Sequence, residues 1–207
     1  MAPRDLTKLY EVCEADNIED LVIQLQNDED VNYTDQENST ILHACSKSNA
    51  INCTKLLIKR GADMNLMDVE GRTPLIVACQ YGNAECAKLL IAAGSAIDDP
   101  RFLHTTPLLA ASSNGFASCV EVLLSNGADV NRVNSIGSNA LMTACRYGYL
   151  DCIEMLLNNG ADTTATGSSG VTALILLSKC GDHADVLKMI LDNGGVHVIN
   201  AKDYRYV

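Results

Sequence analysis

A 33-residue repeat constrains the fold of this chain more than any other feature. Glycines recur at this interval at Gly61, Gly94, Gly127 and Gly160, and Gly194 follows after 34 residues. A second column of residues at the same spacing is suited to capping helices: Thr7, Thr40, Thr73, Thr106, Asn139 and Thr172. A third column is leucine: Leu9, Leu42, Leu75, Leu108, Leu141 and Leu174. Three columns in register predict one structural unit that is used about six times.

The repeated unit is clearest in residues 71–98, GRTPLIVACQYGNAECAKLLIAAGSAID. Thr73 offers a hydroxyl that caps a helix, and Pro74 suits the first helical position. Apolar residues then recur at helical spacing as far as Gly82, and a second apolar pattern ends at Gly94. Both glycines favour the left-handed conformation that terminates helices. The stretch therefore predicts two short antiparallel helices joined by a tight turn.

Helices this short are marginal in isolation, since fewer than about 12–15 residues do not hold a helix in water. Neighbouring units must therefore cover their apolar faces. The segments TPLIVA (73–78) and TPLLAA (106–111) match a T-P-L-x-x-A signature, and TILHAC (40–45) and NALMTA (139–144) match in part. With a period of 33, this signature resembles the ankyrin repeat.

The resemblance covers nearly the whole chain and implies an all-α fold. It implies an α-solenoid of about six stacked ankyrin repeats, each a helix-turn-helix pair with a β-hairpin finger. We expect a single ankyrin-repeat domain over residues 1–207. The expected repeats span about 4–36, 37–69, 70–104, 105–137, 138–170 and 171–204.

The sixth repeat is expected to be the weak end of the stack. Leu176, Met189 and Ile190 lie on its apolar face, and no further helix pair follows in the sequence. Apolar side chains left in water favour association with another chain. We therefore expect weak self-association through this C-terminal repeat.

The charge distribution argues against a nucleic-acid partner. The formal net charge is −11, and residues 1–37 hold 11 acidic and 2 basic side chains. The remaining residues hold 15 acidic and 13 basic side chains. Nucleic acid would meet repulsion at the acidic end and no compensating basic stripe elsewhere.

The nine cysteines follow the repeat. One column contains Cys53, Cys86, Cys119 and Cys152, and another contains Cys13, Cys79 and Cys145. Stacked helices lie about 8–10 Å apart, whereas a disulfide needs Cα atoms within about 7 Å, so bridges within one column are not expected. Reduced, buried thiols indicate an intracellular, cytoplasmic protein, and a nuclear location also fits. Cys180 alone is expected to be reachable from solvent.

The opening residues lack the pattern of a secretory signal peptide. The longest apolar stretches fall short of the roughly 18–20 residues of a membrane helix, so membrane insertion is not expected. The four histidines show no metal-ligand spacing, and we expect neither a metal nor a cofactor. Cys180 and His183 fit an exposed surface pair better than a nucleophile and its base. We therefore expect no catalytic residues and no enzymatic activity.

The ankyrin resemblance implies a binding groove formed by the fingers and the first helices. Binding residues in the family occur at the finger tip, just before the capping threonine, and late in the first helix. At these positions the chain has Lys47, Arg72, Gln80, Tyr81, Phe102, Leu103, Asn114, Ile136, Arg146, Tyr147 and Lys179. Tyr, Phe and Arg are residue types that dominate binding energies at interfaces. Tyr81 and Tyr147 could instead simply cover their own helices.

We expect a non-enzymatic protein–protein interaction module, an adaptor or scaffold, whose partner is a protein or peptide. The four basic residues of the groove, Lys47, Arg72, Arg146 and Lys179, favour a partner segment with acidic flanks. Two alternatives remain open at this point. The chain could be the ankyrin targeting fragment of a larger regulatory or enzymatic protein, or it could be a cysteine-based redox sensor.

Overall fold

The computed structural model of the chain describes residues 7–25, 30–99, 101, 104–168, 170–180 and 184–193. Contacts divide the chain into two compact units, Met1–Asp99 and Pro100–Val207. The helices of the first unit are α1 Thr7–Glu14, α2 Ile18–Gln24, α3 Ile41–Ser48, α4 Ile51–Lys59, α5 Pro74–Gln80 and α6 Ala84–Ala92. The helices of the second unit are α7 Pro107–Ser113, α8 Ala117–Ser125, α9 Ala140–Tyr147, α10 Leu150–Asn158, α11 Ala173–Ser178 and α12 Ala184–Asp192.

Each unit is built from three helix pairs. In the first unit the first helices of the pairs pack side by side in the order α1, α3, α5, and the second helices pack in the order α2, α4, α6. The second unit repeats this arrangement with α7, α9, α11 and with α8, α10, α12. Within the described ranges, β-structure is limited to two isolated antiparallel bridges in the fingers, Thr34 with Thr40 and Thr166 with Thr172. The all-α class expected from the repeat is confirmed.

The capping column starts the first helices as predicted. The side-chain oxygen of Thr73 accepts a hydrogen bond from the backbone N–H of Ile76, and that of Asn139 accepts one from Met142. Thr40, Thr106 and Thr172 do the same for α3, α7 and α11. These bonds satisfy amide groups that the first turn of a helix leaves without a partner.

The turn after the first helix requires a left-handed residue, and two repeats supply it without glycine. Gly82 has φ +76°, whereas Asp16 and Asn49 adopt φ 48° and 57° at the equivalent positions. The Asp16 carboxylate accepts hydrogen bonds from the backbone N–H groups of Cys53 at 2.9 Å and Asn52 at 3.2 Å. Asp16 therefore caps α4 in the next repeat, which offsets the cost of its backbone conformation.

The core follows the repeat. In the first helices Leu42, Leu75, Leu108 and Leu141 are buried, and in the second helices Leu57, Leu90, Leu123 and Leu156 are fully buried.

Asparagines link adjacent repeats within each unit. Asn32 accepts from the N–H of Asp63 at 2.7 Å, and Asn131 accepts from the N–H of Asp162 at 2.7 Å.

The structure corrects the expectation for the sixth repeat. Leu176 is 5% exposed and Ile190 is fully buried, and Met189 has intermediate exposure. The expectation that all three side chains lack cover is therefore wrong. The reason is that α11 packs on α9, α12 packs on α10, and α11 and α12 pack on each other.

The cysteines are placed as their columns predict. Eight of them are buried, and Cys180 is exposed. In the part of the chain that the structure describes, none of the helices is both long enough and apolar enough to cross a membrane.

Candidate functional site

Two surface cavities, one in each unit, contain most of the described residues that the sequence singles out. The first cavity, of about 410 Å³, lies in the first unit and is lined by Lys47, Arg72 and Tyr81. Gln80 lies beside it, because its Oε1 is 3.4 Å from Nη1 of Arg72. The late positions of α3 and α5 therefore converge with the finger that precedes α5, as the ankyrin pattern implies.

Acidic residues dominate the first cavity. Glu14, Asp35, Glu37 and Asp68 all contribute to its lining, against the two cations Lys47 and Arg72. Arg72 is engaged within the unit, with Nη2 2.8 Å from Asp68 and Nη1 3.1 Å from Glu70. The Lys47 ammonium lies 5.5 Å from the centre of the Tyr81 ring, a cation–π contact. The first cavity therefore presents little free positive charge to a ligand.

Tyr10 closes the α1 side of the first cavity. Its hydroxyl donates a 2.6 Å hydrogen bond to Oδ2 of Asp35. Burial, with the adjacent Asp35 carboxylate, raises the pKa of Tyr10 far above its usual value. Tyr10 therefore stays protonated and holds the Asp35 side chain in the finger.

His43 belongs to the hydrogen-bond network that caps α3. The N–H of Thr40 donates to Nδ1 of His43 at 3.1 Å, so Nδ1 carries no proton. Nε2 then donates to the backbone carbonyl of Arg72 at 2.9 Å, which ties α3 to the next finger. Burial lowers the pKa of His43, although the Arg72 carbonyl opposes that shift. The neutral imidazole fits both hydrogen bonds.

The second cavity, of about 400 Å³, lies in the second unit and has the opposite charge character. It is lined by the predicted residues Ile136, Arg146 and Tyr147. Met142 and Val171 contribute buried apolar surface. Hydroxyl groups are supplied by Ser113, Ser138, Thr143 and Ser168.

Arg146 is the single charged side chain among the described residues that line the second cavity. Its guanidinium makes no ion pair with any described residue. Ile136 and Tyr147 are 54% and 56% exposed at its edge. Among the described residues, the second cavity therefore combines an arginine that has no ion-pair partner with exposed apolar and aromatic surface, a combination typical of protein interfaces.

Tyr147 and Tyr149 lie two residues apart but differ in how they are packed. The ring of Tyr149 packs on Gly115, where an added Cβ would lie 2.6 Å from Cδ1 of that ring. Tyr147 instead remains exposed, with its ring centre 5.9 Å from that of Tyr149. The exposed position of Tyr147 favours a binding role over a purely structural one.

The remaining predicted residues lie elsewhere. The side-chain amide of Asn114 donates a 2.9 Å hydrogen bond to the carbonyl of Ala110 and so caps the C-terminal end of α7. Lys179 is exposed at the end of α11 and is not part of the lining of either cavity. Phe102 and Leu103 lie outside the described residues.

Several lining residues escaped the sequence-based selection. Glu14 stands 33 residues before Lys47, so the column that identified Lys47 also contained the acid that opposes it. Ser138 occupies the same position of the repeat as Arg72, which lies 66 residues earlier, and Val171, which lies 33 residues later. Serines gave no chemical signal, because a hydroxyl alone is common on any surface.

In the described ranges, no group of three or more His, Cys, Asp or Glu side chains is arranged to hold a metal ion. Cys180, the exposed thiol, lies 3.2 Å from the backbone carbonyls of Cys145 and Arg146. Its sulfur therefore caps the end of α9 beside the second cavity.

Two comparisons with known proteins give matches over most of the chain. The family model described as "Ankyrin repeats (3 copies)" matches residues 9–101, 92–167 and 108–203. Among solved structures, the crystal structure of the human ASB11 ankyrin repeat domain is similar, with a TM-score of 0.80 and 26% sequence identity. The match covers 91% of this chain and 84% of that chain. A search of curated protein sequences finds no match.

Proposed function

The chain belongs to the ankyrin-repeat family, and we propose that it acts as a non-enzymatic adaptor or scaffold. Ankyrin repeats are a general protein–protein interaction module, and the partner class is therefore a protein or peptide. The observation that carries the proposal is the second cavity, where Arg146 is the single charged side chain among the described lining residues and where Ile136 and Tyr147 are exposed. We further propose that the repeats of residues 1–207 form one domain of an intracellular protein.

The proposed partner segment has an apolar anchor and an acidic flank. The anchor would cover Ile136 and Tyr147, which together offer aliphatic and aromatic surface. A carboxylate beside it would accept two hydrogen bonds from the planar Arg146 guanidinium. Hydroxyl groups such as Ser138 and Ser168 would replace water around the peptide backbone.

The acidic-flank proposal applies to the second cavity only. In the first cavity four carboxylates face two cations, and Arg72 already contacts Asp68 and Glu70. An acidic segment there would meet net repulsion at short range, where salt screens charges poorly. The sequence suggested that four basic residues could recognise an acidic partner segment. We now assign that role to Arg146 alone.

Affinity capture with the full chain tests the proposed function. Wild-type protein, a variant with Arg146→Ala and Tyr147→Ala, and an Arg132→Ala control would be immobilised, and bound proteins would be identified by mass spectrometry. Arg132 belongs to the same unit but is not part of the lining of the second cavity. The proposal expects partners that wild type and the control retain and the double variant loses. Equal recovery by all three proteins would contradict a role for this cavity.

Two other readings have less support. Self-association through the sixth repeat was expected from exposed apolar side chains. That argument is weak, because Leu176 and Ile190 are buried. The chain could also be the ankyrin part of a larger regulatory or enzymatic protein, in which case the second cavity would still bind the partner. Transcript sequencing across both ends of the coding region would distinguish that arrangement.

A further inference from the structure

Two buried thiols from adjacent repeats are in contact in the first unit. Sγ of Cys13 on α1 lies 2.9 Å from Sγ of Cys45 on α3, and both side chains are fully buried. The two residues belong to different columns of the repeat, so the spacing argument against bridges within one column does not apply to them. Their sulfur atoms are already closer than two non-bonded sulfurs in ordinary packing, which leaves little movement for bond formation.

We propose that Cys13 and Cys45 form a reversible disulfide under peroxide stress, and that this bond locks α1 onto α3. The oxidant is hydrogen peroxide. It converts one thiol to a sulfenic acid, as the O–O bond breaks and one water leaves. The second sulfur then attacks the first, the S–O bond breaks, and a second water leaves. Two thiols are oxidised and one peroxide is reduced to two waters.

In the folded structure, burial shields the Cys13 and Cys45 thiols from peroxide. Hydrogen bonds with the Cys13 and Cys53 thiols, together with burial, raise the pKa of Cys45 far above its usual value, so its thiol stays protonated. Peroxide therefore reacts only when α1 separates transiently from α3. Of the described helices, α1 packs chiefly on α2 and α3, whereas α3 also packs on α5. The separation of α1 therefore disrupts fewer contacts than that of an interior helix.

The lock would act on the first cavity. Tyr10 and Glu14 of α1 contribute to its lining, and so do Ala44, Lys47 and Ser48 of α3. Cys13 and Cys45 stand next to Glu14 and Ala44 in the sequence. A covalent bond between them would hold these two parts of the lining together and suppress their separation.

The repeat itself supplies matched variants that preserve packing. The column of Cys45 contains Ala78, Ala111 and Ala144, and that of Cys13 contains Ser46 and Ser112. Cys45→Ala and Cys13→Ser therefore introduce residues that the same fold accepts elsewhere in the chain. Cys53→Ser is the control, because Cys53 lies beside Cys45 without being the proposed partner. All proteins would carry Cys180→Ser, which removes the exposed thiol and with it links between molecules.

The experiment treats each folded full-length protein with hydrogen peroxide, alkylates the remaining thiols in denaturant and maps the peptides by mass spectrometry. A mass loss of about 2 Da and a peptide that joins Cys13 to Cys45 are expected in the background protein and in Cys53→Ser. Both are expected to be absent from Cys13→Ser and Cys45→Ala. In the background protein, hydrogen exchange in residues 7–14 should slow about tenfold on oxidation and recover with dithiothreitol.

Three results would overturn the proposal. One is complete alkylation of every thiol after oxidation of the background protein. Another is a link from Cys45 to Cys53 in place of Cys13. The third is a Cys13–Cys45 link that leaves hydrogen exchange in α1 unchanged, because the bond would then lock nothing. None of these results bears on partner binding at Arg146, so the two proposals fail independently.

Discussion

Arg72 holds Asp68 through two nitrogen atoms, since Nε and Nη2 each lie 2.8 Å from Oδ2. The Asp68 side chain is only 3% exposed, and its Oδ1 accepts the backbone N–H groups of Glu70 and Arg72. The Arg72 guanidinium therefore completes the hydrogen bonding of a buried carboxylate at the base of a finger. Most of its bonding capacity is used inside the first unit rather than offered to a partner.

Arg72→Ala is expected to reduce stability by about 1–3 kcal/mol, because it leaves a buried carboxylate without its counter-ion. Urea unfolding followed by circular dichroism would measure the loss. Lys88→Ala is the matched control. The Lys88 pair with Glu85 spans 2.6 Å but is exposed at both ends, so its loss should cost less than about 0.5 kcal/mol. Equal effects of the two substitutions would show that the Arg72 pair has no structural role.

The Asp16 cap can be separated from its backbone cost by three substitutions. Asp16→Ala removes the hydrogen bonds to Asn52 and Cys53 and keeps a side chain at positive φ, so a loss of about 1–3 kcal/mol is expected. Asp16→Gly relieves the backbone and should cost less than Asp16→Ala. Asp16→Asn retains an acceptor oxygen and should remain near wild type. An Asp16→Asn protein as unstable as Asp16→Ala would contradict the capping role.

The 33-residue period predicted the helices, their caps and the core because these depend on local chemistry that each repeat restates. Thr73 and Asn139 cap helices at the same position for the same reason, and Leu90 and Leu123 are buried at equivalent places. The binding surface was predicted less completely. Position along the repeat identified Arg72, just before a capping threonine, and Arg146, late in a first helix, as candidates, but it did not show which carboxylates would face them.

The charge of each cavity depends on contacts between repeats. Arg72 meets Asp68 because the third finger has an acid at that position, whereas the fifth has Asn134 there. The contact of Cys13 with Cys45 joins two different columns, so a comparison within columns could not find it. Burial of Leu176 was missed for a related reason, since the packing of α11 on α9 already covers it.

His43 is expected to make stability depend on pH below neutrality. Burial lowers its pKa in the folded protein, while the unfolded chain keeps the usual value of about 6.5. As pH falls through about 6.5, the unfolded state therefore binds more protons, and folding stability decreases. The contribution of His43 is fully present above that pH.

Unfolding free energies from about pH 7.5 to 5.5 would measure this dependence. His43→Leu should flatten the curve, and leucine is a fair replacement because Leu109 occupies the same column. His104→Ala, which removes a histidine at an exposed site, serves as the control. A His43→Leu protein with the wild-type slope would assign the pH dependence to other groups.

Leu90→Ala should destabilise the first unit by about 2–5 kcal/mol, because Leu90 is fully buried on α6. Leu89→Ala is the neighbouring control, since Leu89 has intermediate exposure and should lose less. Urea titration gives both values. If Leu90→Ala costs less than about 1 kcal/mol, the leucine column of the second helices, which contains Leu57, Leu90 and Leu123, is not part of the core.

The most direct test of the proposed function is a double-mutant cycle on Arg146 and a partner carboxylate. A peptide would be selected from a random display library against the full chain, and calorimetry would measure its affinity for wild-type protein and Arg146→Ala. Each measurement would be repeated with the peptide's Asp or Glu changed to Asn or Gln, and with Arg132→Ala as the control protein. Selected peptides should carry an acidic residue beside an apolar one, and the cycle should show a coupling of about 1–2 kcal/mol for Arg146 and none for Arg132. Selected peptides without acidic residues, or effects at Arg146 that are additive within about 0.5 kcal/mol, would contradict recognition of a carboxylate by this arginine.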